Sequence, residues 1–181
     1  VGIESTNETV LKKMNKQVNL KLGTDSYFDC IQKIHNAGLV VWGSVVFGAD
    51  GDDKDSFKRM TDFILENNID ILTFGINCPF PKTQLYARLD SEKRIFRKNY
   101  PEDWQYYDTA HVVHRFVDMT LEDFIEGMQY IYDHIYASDN LRTRFRNSIK
   151  TTKNPRNSMF AFRVGSDWIQ VFEQVLQNLK E

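Results

Sequence analysis

The run from Val40 to Phe47 most constrains the fold of this chain. It has the length and the β-branched content of a buried strand, and it ends at Gly48, with Gly51 close behind. Glycines at that point indicate a sharp backbone turn or a ligand lying close against the main chain. In parallel α/β folds, ligands bind at the carboxyl ends of the strands. The segment therefore predicts both a fold class and one edge of a site.

Two further strands flank this run, one at Val1–Glu4 and one at Ile71–Ile76. Between the strands, apolar residues recur at helical spacing and form two stripes, one on each predicted helix. The first stripe is Tyr27, Ile31 and Ile34, and the second is Phe57, Met60 and Ile64. Gly38 is the expected left-handed residue after the first helix. The order βα-βα-βα predicts parallel strands joined by right-handed crossovers.

Four segments carry short motifs in a fixed order. They are Val1–Ser5 followed by Leu11 and Asn15-Lys16; Val46–Asp52; Pro79–Leu85; and the landmarks Arg94-Ile95, Trp104, Tyr107-Asp108 and Met119-Thr120. Together they resemble the second half of a radical S-adenosylmethionine (SAM) enzyme core, in the subfamily that often carries a cobalamin-binding domain. Two positions depart from the family pattern: Lys82 stands for glycine and Asp52 for glutamate.

The resemblance implies an α/β fold in which residues 1–90 form part of a (βα) barrel and residues 91–181 a mainly helical C-terminal extension. It implies SAM as the cofactor, with ribose near Glu4 and Ser5 and adenine near the backbone of 47–49. The cofactor-binding residues it implies are Glu4, Ser5, Phe47, Gly48, Ala49 and Asn77. We expect Gly48 to lack a side chain because one would enter the ligand's space. Catalytic residues are not assigned.

The family holds a [4Fe-4S] cluster with three closely spaced cysteines, whereas this chain has only Cys30 and Cys78. We therefore expect a fragment whose missing N-terminal half binds the cluster and docks against this one. The resemblance implies that the parent is an enzyme. It generates a 5′-deoxyadenosyl radical or performs cobalamin-dependent radical chemistry on an unknown small molecule. The fragment alone is predicted to be inactive, and its exposed strand faces favour self-association.

Composition favours a globular protein rather than a disordered one, with 41% hydrophobic and 27% charged residues. No apolar run is long enough to span a membrane, and two isolated cysteines favour a reducing, cytoplasmic compartment. A net charge of −2 gives no general attraction to nucleic acid. The four histidines lack carboxylate or thiolate companions at ligand spacing, so we predict no metal site.

The C-terminal half is predicted to be helical. Thr120 begins one helix, 151–158 is expected to be a loop because it is polar and contains Pro155, and Ser166 is expected to cap the last helix. Residues 142–163 hold seven basic side chains and no acidic one. This run favours a solvated face, or a surface that docks an acidic segment, over a nucleic-acid site.

Two alternatives remain open. In the first, the chain belongs to a non-radical (βα)-barrel enzyme whose strand end at Gly48–Gly51 binds phosphate. In the second, it is a non-catalytic scaffold with a docking surface on its C-terminal helices.

Overall fold

The structure is a computed structural model that describes residues 1–23 and 26–180. A three-stranded parallel sheet, in the order β1-β2-β3, is followed by a helical C-terminal part. The strands are β1 (Gly2–Glu4), β2 (Trp42–Phe47) and β3 (Ile71–Ile76). The helices are α1 (Glu8–Lys13), α2 (Gln17–Leu22), α3 (Ser26–Asn36), α4 (Ser56–Glu66), α5 (Gln84–Ser91), α6 (Leu121–Ile131), α7 (Ser138–Thr152) and α8 (Pro155–Asn178).

All three predicted strands are confirmed, and both pairings are parallel. From Trp42 opposite Ile71 to Phe47 opposite Ile76, β2 and β3 keep an unbroken register. Gly38 has φ +75°, as expected for the residue that ends α3. The mixed α/β class is therefore confirmed. Closure of the sheet into half of a barrel stays a prediction.

Alternation along β2 separates a buried face from an exposed one. Val45 and Phe47 point into the core, where Phe47 stacks on Phe57 with ring centroids 4.8 Å apart. Trp42 and Ser44 point the other way and are exposed. Helices therefore cover one face of the sheet, because period-two alternation places only every second side chain in the core.

The C-terminal helices correct two expectations. The predicted loop at 151–158 shrinks to Lys153 and Asn154, because Pro155 occupies the first turn of α8, where a missing N–H costs no hydrogen bond. Asn154 caps α8 by accepting from the Asn157 N–H. Ser166 lies inside α8, and its hydroxyl donates to the Phe162 carbonyl instead of capping a helix start. At Thr120 the predicted helix start is confirmed by a capping box with Asp123.

The helical part shares one hydrophobic core with the strands. Phe172 of α8 packs on Phe74 of β3, with ring centroids 4.2 Å apart. Tyr136, in the π-helical turn Tyr132–Tyr136, is 1% exposed and donates its hydroxyl to the Leu72 carbonyl at 2.7 Å. The division of the chain near residue 90 remains a prediction.

Two more features concern the sheet margin and the helices. On the side of β3 that faces away from β2, the Ile76 N–H donates to the Thr109 carbonyl at 2.8 Å. Within residues 1–23 and 26–180, no helix combines the length and apolar character needed to cross a membrane.

Candidate functional site

A cleft of about 600 Å³ opens at the carboxyl ends of β2 and β3. Its walls come from the end of α1, the loop after β2, the end of β3 and the start of α5. The lining residues are Lys13, Met14, Asn15, Ala49, Asp50, Asn77, Thr83, Gln84, Leu85 and Arg88. Three of the motif-bearing segments, separated in sequence, thus meet at one concave surface. A volume of this size lies within the usual range for small-molecule sites.

Of the six predicted cofactor-binding residues, the cleft brings together Ala49 and Asn77. They meet because the Asn77 N–H donates to the Phe47 carbonyl at 2.8 Å, which extends the parallel ladder past the end of β3. Ala49 is 5% exposed and Asn77 is half-buried. The structure therefore places these two residues side by side, and their contact with a cofactor stays a prediction.

The other four predicted residues do not line the cleft. Glu4 has φ +62°, and its carboxylate accepts from the Lys16 ammonium at 2.7 Å. Ser5 is buried, and its hydroxyl accepts from the Asn7 N–H. The Phe47 ring lies in the core on the helix side of the sheet. Any role of Phe47 in binding would have to come from its main chain.

Gly48 is required by the protein itself. It has φ +85°, and a Cβ placed there would lie 2.6 Å from Cε1 of Phe116, closer than such atoms approach. Phe116 stacks in turn on Phe124, which is fully buried. Packing within the chain is therefore enough to require this glycine, and the expected approach of a ligand at Gly48 stays a prediction.

Asp52 occupies the N–H groups at the end of β2. One of its carboxylate oxygens, Oδ2, accepts from the N–H groups of Gly48 and Ala49, each at 3.0 Å. Burial raises the pKa of Asp52 to about 6, although those two hydrogen bonds act in the opposite direction. The Gly51 N–H is also engaged, by Asp118 at 3.0 Å. The backbone donors that a phosphate would need already have carboxylate partners.

Asp50 and two arginines form an ion cluster on the cleft wall. Arg94 binds both carboxylate oxygens of Asp50, at 2.7 and 3.2 Å, and Arg88 reaches the same carboxylate at 2.5 Å. Burial by itself would raise the pKa of Asp50, but the hydrogen bonds and charges of Arg94 and Arg88 lower it to about 2. Sequence reasoning noted Arg94 as a family landmark and missed this cluster, because its members lie 38 and 44 residues from Asp50.

Lys82 stands where the family pattern has glycine. Its φ is +67°, in the left-handed region, which a lysine adopts with backbone strain and glycine adopts freely. Next to it, Thr83 caps α5 by accepting from the Tyr86 N–H. This geometry places Gln84 and Leu85 on the cleft wall.

His114 lies buried beside the ion cluster. It pairs with Ile95 in an antiparallel bridge and is 1% exposed, and among the described residues neither ring nitrogen has a hydrogen-bond partner. Burial, and after it the positive charge of Arg94, lowers the pKa of His114 to about 4. His114 is therefore neutral near pH 7.

Neither cysteine fits a cluster ligand set. Cys30 is exposed on α3, and Cys78 is buried after β3, where burial raises its thiol pKa to about 11. A thiol with a raised pKa is a poor thiolate ligand. Across the part of the chain that the structure describes, no group of three histidine, cysteine or acidic side chains is arranged to hold a metal ion.

Comparison with known proteins finds several methyltransferases that are similar to this chain. Bacteriochlorophyllide d C-12(1)-methyltransferase of Chlorobaculum tepidum is 28% identical over 146 residues, covering 81% of this chain and 30% of that protein. Bacteriochlorophyllide d C-8(2)-methyltransferase of the same organism is 26% identical over 156 residues, covering 86% and 32%. Hopanoid C-2 methylase of Rhodopseudomonas palustris is 30% identical over 95 residues, covering 52% and 18%. The chain spans about a third or less of each relative's length.

The resemblance to the radical SAM subfamily that often carries a cobalamin-binding domain is thereby confirmed. Residues 83–179 match the family described as "Domain of unknown function (DUF4070)", and the chain belongs to that family. The matched region begins at Thr83, on the cleft wall, and includes the C-terminal helices.

Proposed function

We propose that this chain supplies the adenine and ribose side of the SAM cleft in a radical SAM methyltransferase. The observation that carries the proposal is the cleft at the carboxyl ends of β2 and β3, where Ala49, Asn77 and the turn before α5 meet. Its volume of about 600 Å³ can admit a nucleoside-sized ligand. When bound, SAM supplies the methyl group or the radical. This chain's residues bind and orient it and exclude water.

The residues predicted to contact SAM differ in how available their polar groups are. Asn77 offers an amide that can both donate and accept, and Ala49 presents main chain at the cleft wall. Glu4 would have to give up its contact with Lys16 to reach a ribose hydroxyl, and Ser5 would have to move out of the interior. We therefore rank Asn77 first among the side chains that contact SAM.

The [4Fe-4S] cluster is proposed to be held by a segment outside the present sequence, since Cys30 and Cys78 do not fit that role. That segment would dock beside β1, at the end of the strand order. An apolar groove of about 300 Å³ runs beside β1 and includes Val18, Leu22 and Tyr27. Val18 and Leu22 are 70% and 53% exposed, so a docking segment could cover two large apolar side chains there. Without that segment, we expect the apolar groove beside β1 to drive self-association of the chain.

The hydrogen bonds of Asp52 disfavour the phosphate-binding alternative. The N–H groups of Gly48 and Ala49 are bound to Asp52, and a phosphate would have to displace that carboxylate. Like charges would also meet whenever Asp52 is ionised.

Anaerobic isothermal titration of SAM into the whole protein tests the proposal. Asn77→Ala should weaken binding about tenfold, the worth of one hydrogen bond to a ligand. Asp62→Ala is the matched control, because Asp62 lies on the surface of α4 in an ion pair with Lys58 and should leave binding unchanged. Equal affinity of the Asn77→Ala variant and the unmodified protein would remove Asn77 from the site. Absence of SAM binding by the unmodified, cluster-loaded protein would refute the proposed function.

A further inference from the structure

The hairpin formed by α7 and α8 carries a mixed basic and apolar surface that the SAM cleft does not use. We define the basic-apolar patch as the five residues that line one open depression of about 400 Å³: Pro155, Arg156, Met159, Phe160 and Arg163. Four of them follow helical spacing on α8, at i, i+3, i+4 and i+7, so they share one face. Met159 and Phe160 are 41% and 53% exposed.

The stretch of sequence that contains the patch carries charge of one sign. Between Asp139 and Asp167 the chain has seven basic side chains and no acidic one, in a chain whose net charge is −2. Among the described residues, Arg142 alone of the seven forms an ion pair, and Arg144 donates to main-chain carbonyls. The remaining five are exposed and without an acidic partner: Arg146, Lys150, Lys153, Arg156 and Arg163.

The patch lies away from the cleft. The side chains of Asn154 and Asn157, at the start of α8, both donate to the Gly38 carbonyl, at 3.0 and 2.7 Å. Gly38 precedes β2, so this end of α8 is fixed near the amino-terminal end of the sheet, whereas the cleft opens at the carboxyl end. A large partner can therefore cover the patch while the cleft stays accessible.

We propose that the basic-apolar patch binds the surface of an anionic lipid bilayer. Clustered arginine and lysine side chains attract acidic headgroups, and apolar side chains on the same helix face enter the headgroup region. Met159 and Phe160 have the size and exposure for that insertion, and the flanking arginines are within the same depression. An acidic polypeptide would satisfy the charges but would leave the two protruding apolar side chains without a role.

Vesicle co-sedimentation of the 181-residue chain tests this proposal. We expect binding to vesicles of phosphatidylcholine with roughly one-third phosphatidylglycerol, and at least tenfold weaker binding to phosphatidylcholine alone, because each cation near an anionic surface strengthens binding about fivefold. Raising the salt concentration should weaken binding, since screening shortens the range of the charges. The Arg156→Glu/Arg163→Glu variant should lose at least tenfold in affinity.

Two control variants separate the patch from general charge. Lys21→Glu/Lys54→Glu makes the same change in net charge at exposed lysines on other elements and should bind as the unmodified chain does. Phe160→Ser should weaken binding severalfold, whereas Phe28→Ser, at an exposed phenylalanine on α3, should not. Far-UV circular dichroism confirms folding, and Arg163→Glu alone replaces the double variant if that one unfolds.

Equal binding to neutral and anionic vesicles, or no binding to either, overturns the proposal. So does a result in which both charge-reversal pairs weaken binding equally. If polyglutamate binds the chain at least as tightly as the anionic vesicles and Phe160→Ser changes nothing, the patch recognises acidic polypeptides and the lipid proposal is wrong.

Discussion

Replacing Gly48 with alanine tests why this strand end requires glycine. Two costs add at this position. At φ +85°, an L side chain costs about 1–2 kcal/mol, and a Cβ at 2.6 Å from the Phe116 ring forces a displacement that costs about 1–3 kcal/mol more. We therefore expect Gly48→Ala to lower the free energy of unfolding by about 2–5 kcal/mol, measured by urea denaturation with no ligand present.

Gly38 provides the matched control. It has φ +75°, but the nearest atoms to a Cβ there are 3.7 Å away, which is an ordinary contact. Gly38→Ala should therefore show the conformational cost alone, about 1–2 kcal/mol. Phe116→Leu in the Gly48→Ala background should recover part of the steric cost, giving a coupling of about 1–3 kcal/mol in the double-mutant cycle. If Gly48→Ala costs no more than Gly38→Ala, or if the cycle shows no coupling, Phe116 does not determine the need for glycine.

Three further predictions concern charge and metal. Because burial raises the pKa of Asp52 to about 6 from an unfolded value near 4, its stabilising contribution is full below about pH 4. It is lost as pH rises through about 6, on the order of 2–3 kcal/mol, and Asp52→Asn should flatten that part of the pH profile of urea denaturation. Arg94→Ala should destabilise the chain by about 2–4 kcal/mol in the same assay, because Asp50 is 9% exposed and would keep only one partner. Anaerobic reconstitution of this chain should bind no stoichiometric cluster iron, because Cys30 and Cys78 are its only cysteines.

Each of these has an outcome that would contradict it. An unchanged pH profile in Asp52→Asn would mean that the carboxyl group titrates near its usual pKa. Arg142 serves as the control for Arg94: its ion pair with Asp139 is exposed, so Arg142→Ala should cost less than about 1 kcal/mol. Equal losses for both arginines would argue against the buried character of the Asp50 cluster. Four irons per chain after reconstitution would show that the cysteines have been misjudged.

The sheet could be predicted because its signals are local. β-branched runs of strand length, glycine at the turns and helical stripes between them all lie within short windows, and each strand was confirmed. The prediction for Pro155 was wrong because proline is excluded from a helix interior but favoured in the first helical turn. The same sequence therefore fits either a loop through Pro155 or a helix that begins there. The helix boundary was decided by Asn154 as cap.

The site was harder to predict because its geometry depends on distant partners. Ala49 and Asn77 were expected from the family resemblance, and their proximity follows from the ends of two neighbouring parallel strands. The contacts of Asp50 with Arg88 and Arg94 depend on how the segments after β3 return to the sheet. The reason for glycine at position 48 likewise comes from Phe116, 68 residues away, and no local pattern contains that information.

Both outer margins of the sheet have main-chain groups that are bound within the chain. The Asn77 N–H points toward β2, so Ile76 and Leu72 present their main-chain groups to the opposite side. There the Ile76 N–H is taken by Thr109 and the Leu72 carbonyl by the hydroxyl of Tyr136. An incoming strand would have to displace both partners. At the other margin, the Gly2 carbonyl of β1 points away from β2 and accepts from the Asn19 side-chain amide at 2.9 Å. Growth of the sheet therefore has a cost at both margins: one side-chain amide must be displaced beside β1, and a loop carbonyl and a buried tyrosine hydroxyl beside β3.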